Sequence, residues 1–166
     1  MFTMKGNPIQ LQGKMLQVGD VFPEFEVVDK NLQVQKSQSF SGVRVFASVP
    51  SVDTGICDME IRNFNKKASE LKGVKICVFS MDLPFAQNRW CGAAGVENVE
   101  IFSDYRKRSF GLASGTLIKD IELLARAVFV VNKDNKITYV EYVKEVSSHP
   151  DYDKLYEAVE KEVKMS

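Results

Sequence analysis

Three short apolar, β-branched runs constrain the fold more than any other feature of this chain: Val43–Ala47, Val74–Phe79 and Ala127–Val131. A strand open to water on one face alternates polar and apolar residues, whereas these runs are nearly continuous. They therefore predict central strands covered on both faces. The third run is followed by Asn132-Lys133-Asp134-Asn135 and an alternating segment, Lys136–Val143, which predicts a hairpin to an antiparallel neighbour. Between the first two runs, Ile61, Phe64, Ala68 and Leu71 fall on one face of a helix, which Gly73 is expected to end. A second helix closes the chain, with Tyr152, Leu155, Tyr156, Val159 and Val163 as its stripe and Pro150 expected in its first turn. Ahead of the first run the chain predicts two hairpins. One turns at Gln12-Gly13 between Ile9, Leu11 and Met15, Leu16; the other sets Phe25–Val28 against Leu32–Gln35 about Asp29-Lys30-Asn31. Strands alternating with helices, plus an antiparallel hairpin, give an α/β sandwich with a central mixed sheet flanked by helices.

No repeat, low-complexity tract or linker interrupts the 166 residues, so one domain over 1–166 is expected. A chain of this length buries roughly 70% of the surface its unfolded form exposes and needs no staples. The 22 basic residues balance the 22 acidic ones, which argues against a nucleic-acid binder or a polybasic membrane module, because counterion release needs a cationic surface. The N-terminus lacks an apolar stretch of signal-peptide length, and no apolar run approaches the ~18 residues of a membrane span. The expected compartment is the cytoplasm, where the three cysteines Cys57, Cys77 and Cys91 read as catalytic or buried thiols and not as a disulfide framework.

Cys57 is the strongest candidate for chemistry. It lies in the first turn of the first predicted helix, with Thr54 placed to cap that helix. Unpartnered amides and the helix dipole favour negative charge there, so a thiol so placed ionises more readily. Asp53 and Asp58 oppose this unless they point away or pair with a cation. The plainer alternative is a small buried hydrophobe at a helix start. Cys91 sits in a second short helix predicted to begin at Pro84 and to end near Gly92, beside Trp90; packing is again the alternative. Cys77, inside an apolar run, reads as core. Paired C-x2-C spacing is missing, which disfavours a zinc site and excludes exchange by adjacent thiols. The single histidine, His149, reads as a loop or cap residue, and Gly92-Ala93-Ala94-Gly95 lacks the spacing and lysine of a phosphate loop.

Pro50-x-x-x-Thr54-x-x-Cys57 resembles the peroxiredoxin active-site pattern. Ser51–Thr54, Leu83–Gln87, Arg89–Ala93, Leu124–Val130, Gly6-Asn7-Pro8 and Val18-Gly19-Asp20 are similar to the thiol peroxidase subfamily, and the resemblance runs from about residue 5 to 163. It implies a thioredoxin-like fold with an N-terminal β-hairpin extension, usually in a homodimer. It implies an antioxidant oxidoreductase that reduces hydrogen peroxide and alkyl hydroperoxides with no metal or organic cofactor and with thioredoxin as electron donor. On this resemblance Cys57 is the peroxidatic cysteine and Cys91 the resolving one, joined in a redox disulfide. Thr54 bonds the thiolate and the peroxide, Arg126 sets a guanidinium beside the sulfur, and Pro50 shields the site. Ile56, Phe85 and Trp90 are candidate pocket residues. The subfamily usually has proline after the threonine, where this chain has Gly55; glycine loosens that turn by about 1 kcal/mol and favours unwinding. A peroxide sensor or redox relay signalling through Cys57 oxidation is the second reading. A disulfide oxidoreductase acting on proteins is weaker.

Overall fold

The computed structural model describes residues 1–165. The three apolar runs form β6 (Val43–Ser48), β7 (Val74–Ser80) and β10 (Ala127–Val131), at the centre of a seven-stranded sheet. With β4 (Glu26–Val28), β5 (Val34–Lys36), β8 (Glu100–Ser103) and β11 (Ile137–Tyr142), the strand order is β11-β10-β6-β7-β8-β4-β5. β6, β7 and β8 run parallel; β10 joins β6, and β11 joins β10, antiparallel, so the sheet is mixed as expected. The hairpin of β4 and β5 forms as its sequence predicts.

Both faces of the central strands are covered, and alternate residues divide between them. Phe46, Cys77, Phe79 and Phe129 point to one side, into a cluster with Phe22, Phe25 and Phe110. Phe79 and Phe110 stack there, with ring centroids 3.8 Å apart. Val45, Ala47, Ile76, Val78, Val128 and Val130 face the other side. There they pack on α1 (Gly55–Glu70) through Cys57, Ile61 and Phe64, and on α4 (Tyr152–Met165) through Leu155 and Val159. α2 (Pro84–Ala94) joins the same face through Trp90, Cys91 and Ala94, whereas α3 (Ser109–Ser114) lies on the aromatic side.

Several boundaries differ from those the sequence predicts. The N-terminal hairpin pairs β1 (Phe2–Met4) with β2 (Asn7–Ile9) about Lys5-Gly6, and does not turn at Gln12-Gly13. The strand β3 (Leu11–Gln12) instead pairs with β9 (Leu117–Ile118). Gly13 serves close approach here: a Cβ on it would stand 2.4 Å from the Leu112 carbonyl oxygen. α1 stops at Leu71 in extended backbone, ahead of Gly73, and α2 runs past Gly92 to a left-handed cap at Gly95. Pro150 precedes α4; Asp151 supplies the capping bond, its Oδ1 accepting from Lys154 N at 3.1 Å.

Glu145 fastens the N-terminal hairpin to the body. Its carboxylate accepts from Thr3 Oγ1 (2.9 Å), Lys5 N (3.1 Å) and Gly6 N (2.8 Å), and from the Ser147 hydroxyl and amide. The Ser147 hydroxyl and then these amides hold its carboxyl down at about 2, below the ordinary 4.5. A depressed carboxyl contributes stability above its unfolded-state pKa and loses it as pH falls through the folded one. Protection of the Lys5 and Gly6 amides, corrected for intrinsic exchange, is therefore expected to persist above pH 4.5 and disappear toward pH 2. In Glu145→Gln it is expected to be reduced above pH 4.5 and to lose this pH dependence.

Candidate active site

Cys57 is positioned by the end of β6 and the start of α1. The chain leaves the sheet at Ser48, passes through a segment in which Pro50 and Val52 are buried, and enters α1 at Thr54. Thr54 has extended backbone, and its Oγ1 accepts from Cys57 N at 3.1 Å, the N-cap that the sequence predicts. Helical spacing then turns Cys57, Glu60, Ile61 and Phe64 inward together. Cys57 has no exposed surface. Gly55, the first helical residue, is exposed, and a Cβ added there would meet nothing within 4 Å.

The sulfur's polar partner comes from the start of the strand next to β6 in the sheet, β10, which is far away in the chain. Arg126, immediately before β10, is 1% exposed and makes three bonds. Its Nη2 donates to Cys57 Sγ at 3.2 Å, its Nη1 to Glu60 Oε1 at 2.6 Å, and its Nε to the Val146 carbonyl at 2.8 Å. Burial alone would lower the pKa of this guanidinium, but Glu60 and Cys57 outweigh it and the net shift is upward, so the cation persists. Glu60, fully buried, is pushed the other way: removal from water raises its carboxyl to about 7 against the pull of Arg126. Its Oε2 has no hydrogen-bond partner among the described residues. Tyr152, at the start of α4, is raised by burial and by Glu60, and packs half-buried against the apolar cluster that holds Cys57.

The two nearby acids are kept from the sulfur. Asp53 is exposed, and Asp58 accepts from Arg62 Nε at 3.1 Å. Arg62 lies over the Trp90 ring at 5.8 Å and so links α1 to α2. Cys91 is half-buried near the end of α2, and burial raises its thiol. It lines an open groove of about 620 Å³ together with Lys30, Phe40, Gln87, Val99 and Phe102. All three cysteines are free thiols. Cys77 packs on the opposite face of the sheet from Cys57, in the core as expected, with its thiol pushed up to about 12. Of the candidate pocket residues, Ile56 is half-buried next to Cys57, Trp90 packs on the same apolar cluster as Cys57, and Phe85 is 69% exposed on the first turn of α2. His149 bonds Tyr152 Oη through Nδ1 at 2.6 Å, a position ahead of α4.

Sequence reasoning missed Glu60. The signal was present: a carboxylate on the buried stripe of α1, between Cys57 and Ile61, must find a cation. Among the described residues no group of three or more His, Cys, Asp or Glu side chains could hold a metal, and no helix is long and apolar enough to cross a membrane.

The chain is similar to known proteins along nearly its whole length. The Redoxin family model matches residues 17–156. A thiol peroxidase of Clostridium acetobutylicum is 52% identical over 156 residues, covering 94% of this chain and 95% of that protein. A thiol peroxidase of Bacillus subtilis is 45% identical over 163 residues, 98% of each chain. A crystal structure of a peroxiredoxin-like protein from Aquifex aeolicus superposes with a TM-score of 0.89 at 40% identity, over 96% of this chain and 95% of that one. The chain belongs to the Redoxin family and, within it, to the thiol peroxidases, peroxide-reducing antioxidant oxidoreductases of the peroxiredoxin type.

Proposed function

We propose that Cys57 is the peroxidatic nucleophile of a one-domain, thioredoxin-dependent peroxidase that acts on hydrogen peroxide and alkyl hydroperoxides in the cytoplasm, as a homodimer. The bond from Arg126 Nη2 to Cys57 Sγ is the observation that carries the reading. Attack on an O–O bond needs a thiolate and fixed donors for the oxygen that leaves with negative charge. A guanidinium that stays protonated in a dry site serves both needs. Thr54 caps the helix that carries the sulfur, its Oγ1 accepting from Cys57 N, while the buried Pro50 keeps water from the site. Glu60 acts on the reaction only through Arg126, by holding the guanidinium toward the sulfur.

The thiolate takes the terminal peroxide oxygen, giving Cys57 sulfenic acid and water or an alcohol. Condensation with the Cys91 thiol releases water and forms the disulfide. Cys91, half-buried at an open groove, gives a protein dithiol a place to attack, which supports thioredoxin as reductant. Two exchange steps then return both thiols and leave thioredoxin oxidised. The full shielding of Cys57 requires local opening before the two sulfurs meet, since a disulfide needs Cα atoms within about 7 Å.

NADPH consumption coupled through thioredoxin reductase and thioredoxin tests the whole cycle. Sustained turnover with hydrogen peroxide and cumene hydroperoxide is expected, abolished by Cys57→Ser and uncoupled from thioredoxin by Cys91→Ser. Stoichiometric oxidation without turnover would point to a sensor or relay; turnover intact in Cys57→Ser would overturn the site. The buried pair makes a separate prediction for stability. Arg126→Met alone, which strands Glu60, is expected to cost about 3–5 kcal/mol in urea unfolding, and adding Glu60→Leu to recover most of it.

A further inference from the structure

The segment that carries Cys57 and the helix that carries Cys91 leave adjacent parallel strands, β6 and β7, at the same end of the sheet. One continuous set of hydrogen bonds joins them. Asp82 Oδ1 accepts from Ser51 Oγ at 2.8 Å, and Oδ2 accepts from Val52 N at 2.8 Å, both in the segment that leads to Cys57. The same Oδ2 accepts from Ser80 Oγ at 2.7 Å. Ser80 Oγ in turn accepts from Gln87 Nε2 at 2.9 Å, and that amide also donates to the Phe102 carbonyl at 2.9 Å. Gln87 lies on α2 one helical turn before Cys91. The Gln87 Oε1 is buried and has no partner among the described residues. Docked α2 therefore holds an acceptor that gains a bond only when the helix lifts into water.

We propose that Asp82 is a positioning residue for the reaction, the centre of a latch with Ser80 and Gln87. The latch holds the two cysteine segments apart in the thiol form, and its strength decides the fate of the Cys57 sulfenic acid. The inference rests on the roles assigned above to Cys57 and Cys91. Two reactions compete for the sulfenic acid. In one, Cys57–SOH and Cys91–SH form the Cys57–Cys91 disulfide and water. In the other, Cys57–SOH and a second ROOH form Cys57–SO2H and ROH. The first needs both segments to let go, because a disulfide brings two Cα atoms within about 7 Å and so draws the segments together, whereas a small peroxide needs neither segment to move toward the other; its rate follows the population of the opened form. The second proceeds with Cys57 still in place beside Arg126. A tight latch therefore exposes the enzyme to overoxidation, and a loose one protects it.

The reduced full-length protein, mixed rapidly with hydrogen peroxide, tests this. Trp90, the only tryptophan and the neighbour of Cys91, reports the closing step, and mass spectrometry counts sulfinic acid at rising peroxide. Ser80→Ala cuts the latch at its middle: it removes the acceptor for Gln87 on α2 and the donor to Asp82, and leaves the Asp82 bonds to Ser51 and Val52 in place. It is expected to speed closure about tenfold, the factor that one or two buried hydrogen bonds are worth, and to lower the sulfinic fraction accordingly. The second-order rate of Cys57 oxidation is expected to stay that of the wild type. Asp82→Ala is expected to speed closure as well, which keeps the test open if Ser80→Ala does not fold. Glu145→Gln, which loosens the remote hairpin, is expected to leave closure unchanged. Closure and sulfinic fraction unchanged in the folded latch variants would overturn the proposal, and so would equal acceleration by Glu145→Gln. Failure of the wild type to form the Cys57–Cys91 disulfide, read by peptide mapping, would overturn the cysteine assignment instead.

Discussion

Burying the Arg126 guanidinium is the constraint around which the rest of the molecule is arranged. A cation with almost no exposure is tolerated only where acceptors surround it, and breaking such a pairing costs far more than the pairing gains. Arg126 takes its acceptors from separate parts of the chain: Glu60 and Cys57 from α1, and the Val146 carbonyl from the segment between β11 and α4. Its own backbone is fixed where β10 begins, and its carbonyl accepts from Val143 N. The sulfur is thus held from two directions, by the capped helix start at Thr54 and by a cation delivered across the sheet. Neither the helix nor the strand could place the pair alone.

The sheet fixes this arrangement and sets the two cysteine segments together at one end. Alternation along β6, β7 and β10 sends the large aromatic side chains to one face and small aliphatic ones to the other, where the helices must come close. The same alternation separates the thiols. Cys77 points into the aromatic core, and Cys57 and Cys91 both pack on the helical face. Because β6 and β7 run parallel, the segments that follow them emerge side by side, which is why Asp82 can hold both. Two buried carboxylate or amide oxygens, on Glu60 and Gln87, have no partner among the described residues, and they lie on the helices that carry Cys57 and Cys91. A buried acceptor left unpaired costs free energy that exposure to water would recover.

Much of this was legible in the residues. Continuous apolar runs marked the central strands, and the stripe from Ile61 to Leu71 marked α1, because burial on two faces or on one leaves a direct periodic trace. Thr54 ahead of Cys57 announced its cap for a local reason, a side chain reaching an amide three residues on. The N-terminal hairpin was misplaced since Gln12-Gly13 looks like a turn. Its glycine is instead required by the close passage of α3, a contact with residues about a hundred positions away that no local pattern reveals. α2 ends at the second of two available glycines, Gly95 and not Gly92, and α1 ends at Leu71, two residues ahead of Gly73.

The sequence by itself determined the strand and helix content, the core identity of Cys77 and the placing of Cys57 at a helix start, since each follows from interactions between residues close in the chain. Only the tertiary structure decided what surrounds the sulfur. Glu60 was visible as an acid on an apolar stripe and Arg126 as a cation beside an apolar run, but their mutual bond spans 66 positions and depends on how β10 docks against β6. The Asp82 network is of the same kind, drawn from β7, α2 and the segment before α1. Periodicity records which face of an element is buried; the partner it is buried against is fixed when sheet order and register bring distant segments together.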